Sequence, residues 1–417
     1  MDALTRRKFL KASALVGGAA ALAGATALTL DDLLSEAARR PLVHDARILV
    51  VITLYGGNDG LNMLVPYADD AYYARRPELA YDPASVLPLD AELGLNPAMT
   101  GLRDLWGTGA LAIVRGVGYP KPDRSHFRSM DIWQTAHPEA PVPTGWIGRW
   151  LDQTGDDPLR AVNIGAVLPP LMLGAKTNGA ALTPTRPTVF TPALNDAIGR
   201  LAKPAASDTS AQRAVAGVYA DTIKTELALG PIQRAYADDR AQENASSGTA
   251  GGSAGGQSEL AVQLGLIAAC IKAAVPTQVY AASLGGFDTH ADEKGTQQKL
   301  MGALDGAVSG FLHELAGHPR GARTTVLVYS EFGRRVAANA SQGTDHGTAG
   351  PVLVAGPLVD GGRFFGDSPS LTDLDAGDLK VTTDFRDVYG GLLADVLEHD
   401  PADVLGPGRT PLKLLRR

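Results

Sequence analysis

Three apolar runs along the chain each end in a polar turn that carries an acid or an imidazole. Ile48–Tyr55 leads into Gly-Gly-Asn-Asp-Gly, Gln278–Leu284 into Gly-Gly-Phe-Asp-Thr-His, and Thr324–Tyr329 into Ser-Glu-Phe-Gly-Arg. Continuous apolar runs of this length are typical of parallel strands that are buried on both faces. Because ligands of open α/β sheets bind beyond the carboxyl ends of the strands, we expect the three turns to meet at one site.

Strand-like runs alternate with helical stretches from Ile48 to the end of the chain, which predicts one α/β domain over residues 45–417. Further strands are predicted at Leu111–Val114 and Pro351–Ala355, and helices at Ser125–Thr135, Ala211–Ala241 and Ser258–Ala274. Residues 241–257 are rich in Gly, Ser and Ala and predict a mobile loop. We therefore interpret residues 185–257 as a helical and low-complexity excursion from the sheet.

The N-terminus is similar to a twin-arginine export signal. Thr5–Lys11 holds paired arginines followed by Phe, Leu and Lys, and a small-residue apolar stretch continues from Ala12 to about Leu30. Residues 1–30 therefore predict export through the twin-arginine translocase to the periplasm, the cell envelope or the exterior, with cleavage after Ala25 or Ala27. The stretch is rich in Ala and Gly and barely long enough to span a bilayer, so no stable membrane span is expected in the mature form.

Composition and absent motifs exclude several function classes. The chain has a formal net charge of −7, and no basic block suggests a nucleic-acid partner. No phosphate-binding loop or strand-linked G-x-G-x-x-G occurs. A Gly-x-Ser-x-Gly at residues 251–255 has no strand before it, so we interpret it as chance. The single cysteine, Cys270, lies in an apolar run and is expected to be buried.

Acids and imidazoles at the predicted strand ends are candidate ligands for one divalent cation. Asp59 follows the first strand among glycines, although an aspartate that caps a helix would fit the same pattern. Asp288 and His290 are two residues apart, so in an extended segment they point to the same side. Glu331 ends a strand, and His346 lies in a glycine-flanked turn. These five residues form the predicted metal site.

Ser125 is the candidate nucleophile, because it begins a predicted helix after a Pro/Gly-rich turn. Exposed amides at a helix start favour an anionic substrate, while a helix-capping serine is the alternative interpretation. The residues assigned to substrate binding are Asn58, Arg124, His126, Arg128 and Arg334. Arginine binds anions in a bidentate manner, although surface arginines without a ligand are common.

Seven motifs resemble the bacterial family called domain of unknown function 1501. They are LYGGNDGLNMLVP at Leu54–Pro66, RSHFRSMDIW at Arg124–Trp133, TGWIGRWL at Thr144–Leu151, GGFDTH at Gly285–His290, SEFGR at Ser330–Arg334, TDHGTAG at Thr344–Gly350 and TTDFRDVY at Thr382–Tyr389. That family is more remotely similar to the alkaline phosphatase and sulfatase superfamily. The resemblance implies a three-layer α/β/α sandwich with a largely parallel central sheet, and two divalent ions beside a nucleophile at a helix start.

The resemblance also implies roles for individual residues. Asp59 matches the first-strand metal aspartate, Ser125 falls near the nucleophile, and His346 resembles the late histidine of the first metal site. Asp288 and His290 stand where one metal site has its Asp and His, although one residue separates them here instead of three.

Glu331-Phe332 stands where the superfamily usually carries Asp-His. The missing histidine leaves one ion, two ions, a different ion or none open. The leading hypothesis is an exported metal-dependent hydrolase that acts on a small anionic phosphate or sulfate ester. The alternative is an exported non-catalytic protein that binds an anion or a partner on the same scaffold with a degenerate metal site, and Phe332 favours it.

Overall fold

The computed structural model describes residues 27–28, 30–182, 203 and 259–416. The strands are β1 Ala27–Leu28, β2 Ile48–Leu54, β3 Leu64–Val65, β4 Leu87–Pro88, β5 Gly94–Leu95, β6 Leu111–Gly118, β7 Ala161–Ile164, β8 Ala180–Leu182, β9 Val279–Leu284, β10 Thr324–Ser330, β11 Arg334–Ala338, β12 Thr344–His346, β13 Gly350–Ala355, β14 Arg363–Phe365 and β15 Thr383–Asp384.

The α-helices are α1 Leu30–Arg39, α2 Asp70–Arg75, α3 Thr100–Gly107, α4 His126–Thr135, α5 Trp146–Thr154, α6 Glu259–Lys272, α7 Glu293–Glu314, α8 Phe385–Asp395 and α9 Pro401–Leu405. Short 3₁₀ helices lie at Pro158–Arg160, Pro170–Met172 and Gly321–Arg323. The chain is thus mixed α/β, as predicted. No helix among the described residues is long and apolar enough to cross a membrane.

The described residues divide into two compact units. One holds residues 27–43, 143–182 and 269–277, and the other holds residues 44–142, 259–268 and 278–416. In the first unit, β1, β8 and β7 pair in parallel in that order. Trp146, Trp150 and Cys270 are buried there, which confirms the prediction of a buried thiol.

The second unit is built on a mostly parallel sheet in the order β9, β2, β10, β13, β6, β14. β13 is antiparallel to both of its neighbours, and β14 and β15 both pair in parallel with β6. Every residue of Ile48–Leu54 is buried, as its continuous apolar sequence predicts for a central parallel strand.

The three predicted strand ends lie level with one another. Leu54 at the end of β2 is opposite Leu284 of β9 and Ser330 of β10 in the two parallel pairings. The turns that follow these strands therefore leave the same edge of the sheet, as expected. The hairpin of β11 and β12, which pairs Arg334 with His346, begins soon after β10 and returns to this edge.

Several predicted segments lie outside the described residues. They include nearly all of the export signal at residues 1–30, the helix at Ala211–Ala241 and the low-complexity tract at residues 241–257. The two described residues Ala27 and Leu28 form β1, and Leu30 begins α1. The predicted helix at Ser258–Ala274 is confirmed as α6, Glu259–Lys272.

Candidate metal centre

Three histidines surround the carboxylate of Asp288. Ligand atoms of His126, Asp288 and His346 all lie within 4.8 Å of one another. His290 Nε2 and His346 Nε2 are each 3.1 Å from Asp288 Oδ1, and His126 Nε2 is 3.5 Å from Asp288 Oδ2. The Nε2 atoms of His290 and His346 are 3.0 Å apart. Three imidazole nitrogens thus converge on one carboxylate.

The other ring nitrogen of each histidine faces an oxygen atom. His126 Nδ1 is 2.9 Å from Glu331 Oε1, and His346 Nδ1 is 2.8 Å from the carbonyl oxygen of Arg124. His290 Nδ1 is 3.6 Å from Asp345 Oδ1. Carboxylate and carbonyl oxygens only accept hydrogen bonds, so His126 and His346 carry their hydrogen on Nδ1. A ring that keeps its hydrogen on Nδ1 can present its Nε2 to a metal ion, which is the arrangement of histidines that bind metals.

Two observations show that these residues fit a divalent ion. The Nε2 atoms of His290 and His346 can share at most one proton, and His126 Nε2 is buried without a hydrogen-bond partner. Ligands of a tetrahedral ion with bonds of about 2.0–2.1 Å are roughly 3.3 Å apart, close to the distances from Asp288 to each histidine, and the mutually close set is His126, Asp288 and His346. Imidazole with carboxylate suits zinc and similar transition metals better than Mg²⁺ or Ca²⁺.

The cluster is open to solvent. The side chains of Asp288 and His290 are 49% and 45% exposed, whereas that of His346 is 22% exposed. Burial opposes ionisation of Asp288, but hydrogen bonds from Arg334 and His346 and the charges of Arg334 and His290 outweigh it. Together they lower the pKa of Asp288 to about 2, so the carboxylate is ionised at neutral pH.

Arg334 was predicted to bind substrate. In the structure its guanidinium instead contacts protein groups that support the cluster. Its guanidinium is fully buried and donates to Asp288 Oδ1 at 2.8 Å. It also donates to the carbonyl oxygens of Gly56, Gly57, Phe287 and Thr344. With its donors directed at these acceptors, Arg334 joins the turns after β2 and β9 to the β11–β12 hairpin and fixes Asp288 between them.

Phe332 forms an apolar floor for the cluster. Its ring centroid is 4.9 Å from that of His126 and 4.8 Å from that of His346. Gly57 has a φ of +72°, and a Cβ there would lie 2.2 Å from the Phe332 ring. Glycine at this position therefore permits both the turn and the position of the ring.

Glu331 and His126 both have contacts that differ from their predicted roles. Glu331 is buried, and its carboxylate accepts from the backbone N–H of Gly56 and from the Ser330 hydroxyl besides facing His126. A carboxylate with these contacts orients a histidine and does not itself reach the cluster. His126, predicted to bind substrate, instead lies among the candidate ligands.

Asp59 does not join the candidate ligands, which corrects the prediction of a five-residue site. It is fully buried, and Arg76 Nη1 donates to its Oδ2 at 2.5 Å. Burial opposes ionisation, but Arg76 holds the pKa of Asp59 below its usual range. The neighbouring Glu293 is also buried, and burial together with the charge of Asp59 raises the pKa of Glu293. Glu293 is therefore protonated at neutral pH.

The remaining predicted substrate ligands bind neighbouring protein groups. Asn58 is buried, and its Oδ1 accepts from Gln297 Nε2 at 2.9 Å. Arg124 pairs with the buried Asp378, and its own side chain is 40% exposed. Arg128 pairs with Asp131 on the same helix and donates to the carbonyl oxygen of Pro138. The Arg124 side chain is thus partly exposed, whereas Asn58 has a structural role.

Ser125 lies at the start of α4, directly before His126. It is exposed, and its hydroxyl makes no capping hydrogen bond to the helix. Its backbone N–H donates to Asp123 Oδ1 at 2.8 Å. The alternative role of Ser125 as a hydrogen-bonding helix cap is therefore absent from this structure.

A family model described as protein of unknown function (DUF1501) matches residues 205–388. The resemblance predicted from the motifs is confirmed over that part of the chain. No curated protein matches the sequence.

Several solved structures are similar at low identity. Ps i-CgsB in complex with k-i-k-neocarrahexaose is 11% identical with a TM-score of 0.41, over 88% of this chain and 75% of the other. The C-terminal periplasmic domain of EcEptC from Escherichia coli, in complex with Zn, is 10% identical with a TM-score of 0.33, over 75% and 74%. BT1596, a 2-O GAG sulfatase, is 13% identical with a TM-score of 0.28, over 76% and 65%. Likenesses this weak set no constraint on the activity of this chain.

Proposed function

We propose that the protein is an exported metal-dependent hydrolase of phosphate or sulfate esters. The observation that carries this proposal is the convergence of three imidazole Nε2 atoms on the exposed carboxylate of Asp288. Structural metal sites are closed, whereas catalytic sites leave room for water or substrate. The exposure of Asp288 and His290 supports the catalytic kind.

In this proposal His126, Asp288, His290 and His346 hold one ion of the zinc type. Such an ion polarises an ester oxygen and lowers the pKa of water. Glu331 and the carbonyl of Arg124 orient two of the imidazoles, and Arg334 keeps Asp288 ionised and in place. Phe332 excludes water from one side of two of the rings.

Ser125 is the proposed nucleophile for the ester. Its hydroxyl is exposed beside a candidate ligand and at the start of a helix, where backbone N–H groups favour an anion. Because that hydroxyl makes no capping bond, Ser125→Ala is expected to change the free energy of unfolding by less than about 0.5 kcal/mol. The same change should remove most turnover while product binding persists. Ser125→Thr, which keeps a hydroxyl, is the control, and full activity of the alanine variant would assign attack to water.

The experiment that tests the function combines elemental analysis of the purified protein with a screen of phosphate and sulfate esters. One bound transition metal and hydrolysis that is lost in Asp288→Asn would support the proposal. Metal and anion binding without turnover of any ester would instead favour the non-catalytic alternative. The structure offers one reason for that alternative. The carboxylate of Asp59 is paired with Arg76, so a single candidate cluster remains among the described residues.

Export rests on the sequence of Thr5–Lys11. A reporter fused after Leu30 should reach the far side of the membrane, and Arg6→Lys together with Arg7→Lys should block it. Unchanged export of the double variant would remove the twin-arginine interpretation.

A further inference from the structure

A cavity of about 530 Å³ lies in the second unit, and none of the candidate metal ligands lines it. Its walls come from the segments around β3, α2 and β5, from β6, and from the loop before β15. Ligand cavities of small molecules range over roughly 300–1,000 Å³, so this one has room for a small organic molecule. Arg334, which holds Asp288 in the proposed hydrolase site, also lines this cavity, but its donors face Asp288 and backbone carbonyl oxygens.

The floor of the cavity is apolar. It is formed by Leu61, Leu64, Leu93, Leu371 and Leu379, together with Pro66, Ala349 and Pro351. These five leucines retain 4–9% exposure, whereas Leu49, Leu54, Leu327 and Leu353 of β2, β10 and β13 retain 0–1%. The difference shows that the cavity leucines form a partly open apolar surface that a ligand could cover.

The rim of the cavity is acidic. Asp69, Asp70 and Glu92 line it, against Arg115 and Arg334, and the buried guanidinium of Arg334 donates to Asp288 and to backbone carbonyl oxygens. Among the described residues, neither Asp70 nor Glu92 forms an ion pair. The segments that hold Asp70 and Glu92 lie side by side, because the N–H of Ala68 donates to the carbonyl oxygen of Glu92. Two unpaired carboxylates therefore border an apolar floor.

The guanidinium of Arg115 does not offset these charges by pairing with them. Its Nε donates to the carbonyl oxygen of Gly366 at 3.1 Å, and its Nη1 donates to the Ser368 hydroxyl at 2.8 Å. Its Cζ lies 5.1 Å from the centroid of the Phe364 ring. Asp69 is also engaged, since its Oδ1 accepts from the N–H of Ala71 at the start of α2. The open charges at the rim are those of Asp70 and Glu92.

We propose that this cavity binds a small organic cation, with an aliphatic or aromatic body on the leucine floor and an ammonium group at Asp70 and Glu92. A carboxylate or phosphate ligand would meet three carboxylates at the rim, and a neutral ligand would leave their charges without a partner. The cavity shares Arg334 with the surroundings of the proposed hydrolase site, but it shares none of the candidate metal ligands and needs no ion.

The test is isothermal titration calorimetry of the metal-free protein at low salt with hexylammonium, hexan-1-ol and hexanoate. These probes share one alkyl body and differ in charge. An exposed ion pair is worth about threefold in affinity, so two carboxylates should favour hexylammonium over hexanol by about tenfold. Hexanoate should bind most weakly. The preference should shrink as salt rises, because exposed charges are screened.

Variants locate the binding. Asp70→Asn with Glu92→Gln should remove the preference for the cation, whereas Glu78→Gln, an exposed acid outside the cavity, should keep it. Ser368→Trp should block the mouth for every probe, and Ser368→Ala should not. The proposal is overturned if hexylammonium does not bind, if hexanoate binds as well as hexylammonium, or if the preference survives in the double variant. Because the readout is binding without metal, its failure leaves the hydrolase proposal standing.

Discussion

Two aspartates that follow neighbouring strands of the same sheet have opposite environments. Asp288 is 49% exposed and shares its Oδ1 with Arg334 and two histidines, while its Oδ2 faces His126. Asp59 is fully buried, and its carboxylate forms an ion pair with Arg76. Both carboxylates are bound by an arginine whose side chain is itself buried, so an arginine partner alone does not separate a site from a structural pair.

The difference lies in what surrounds each pair. Around Asp288 the neighbours are imidazoles whose Nε2 atoms face its carboxylate, and water can reach them. Around Asp59 the neighbour is a second acid, Glu293, held protonated by burial and by the charge of Asp59. A buried charge is tolerated when it is paired and hydrogen-bonded, whereas a binding site must leave its charge open.

The largest expected effect comes from breaking the buried pair. Arg76→Ala would leave the charge of Asp59 buried without a partner, which costs about 3–5 kcal/mol of the free energy of unfolding. Arg75→Ala removes an exposed arginine one residue earlier and is the matched control. Urea denaturation of both variants measures the difference. Equal stability of the two would show that Asp59 and Arg76 are not a structural pair.

A smaller effect should follow from replacing Glu293 by glutamine, which imitates its protonated form. The folded-state pKa of Glu293 is raised, so its stabilising proton is fully bound below the unfolded-state pKa of about 4.3 and is lost as pH rises through the folded value. The stability of the natural protein should therefore fall with rising pH above about pH 5 relative to Glu293→Gln, by at most about 1.4 kcal/mol per pH unit.

Urea denaturation of the natural protein and of Glu293→Gln, repeated at several pH values above about pH 5, measures that difference. Glu78→Gln, at an exposed position, should leave the pH profile unchanged. Parallel profiles for the natural protein and Glu293→Gln would mean that Glu293 is ionised in the folded state. That result would contradict a raised pKa of the buried Glu293.

The smallest effect on stability is expected at the open cluster. In metal-free protein, His346→Ala removes a side chain that is 22% exposed, so the free energy of unfolding should change by about 1 kcal/mol or less. With Zn²⁺ present the natural protein should gain stability by mass action and the variant should gain less. His44→Ala, an exposed histidine far along the chain from the cluster, is the control. Equal gains in both histidine variants would contradict a role for His346 in binding.

The strands and their common edge could be predicted, because apolar runs such as Ile48–Tyr55 are a direct signal for buried parallel strands. The same strand pattern predicted Asp288 and His290 beyond a strand end and His346 in a glycine-flanked turn, and the structure brings all three together, with His346 at the end of β12. It erred on Glu331 and His126, because a carboxylate that orients a histidine and one that binds a metal look alike in sequence. The contact between His126 Nδ1 and Glu331 Oε1 distinguishes the two roles, and it is visible only in the structure.

The burial of Asp59 could not be predicted for a different reason. Its partner Arg76 follows the short helix α2, and Glu293 begins a helix more than two hundred residues later. No local pattern marks an arginine as buried, since arginine is almost always exposed unless it is paired. The contact between Asp59 and Arg76 depends on long-range packing, which short sequence motifs do not reveal.

The central claim is that three imidazoles and Asp288 hold one transition-metal ion. X-ray absorption spectroscopy of the zinc-loaded protein tests it most directly, because imidazole ligands give a characteristic outer-shell scattering. We predict one ion per chain, a first shell of nitrogen and oxygen only, and weaker imidazole scattering in His290→Ala. A protein that takes up no ion, or one whose bound ion shows no imidazole scattering, would contradict it.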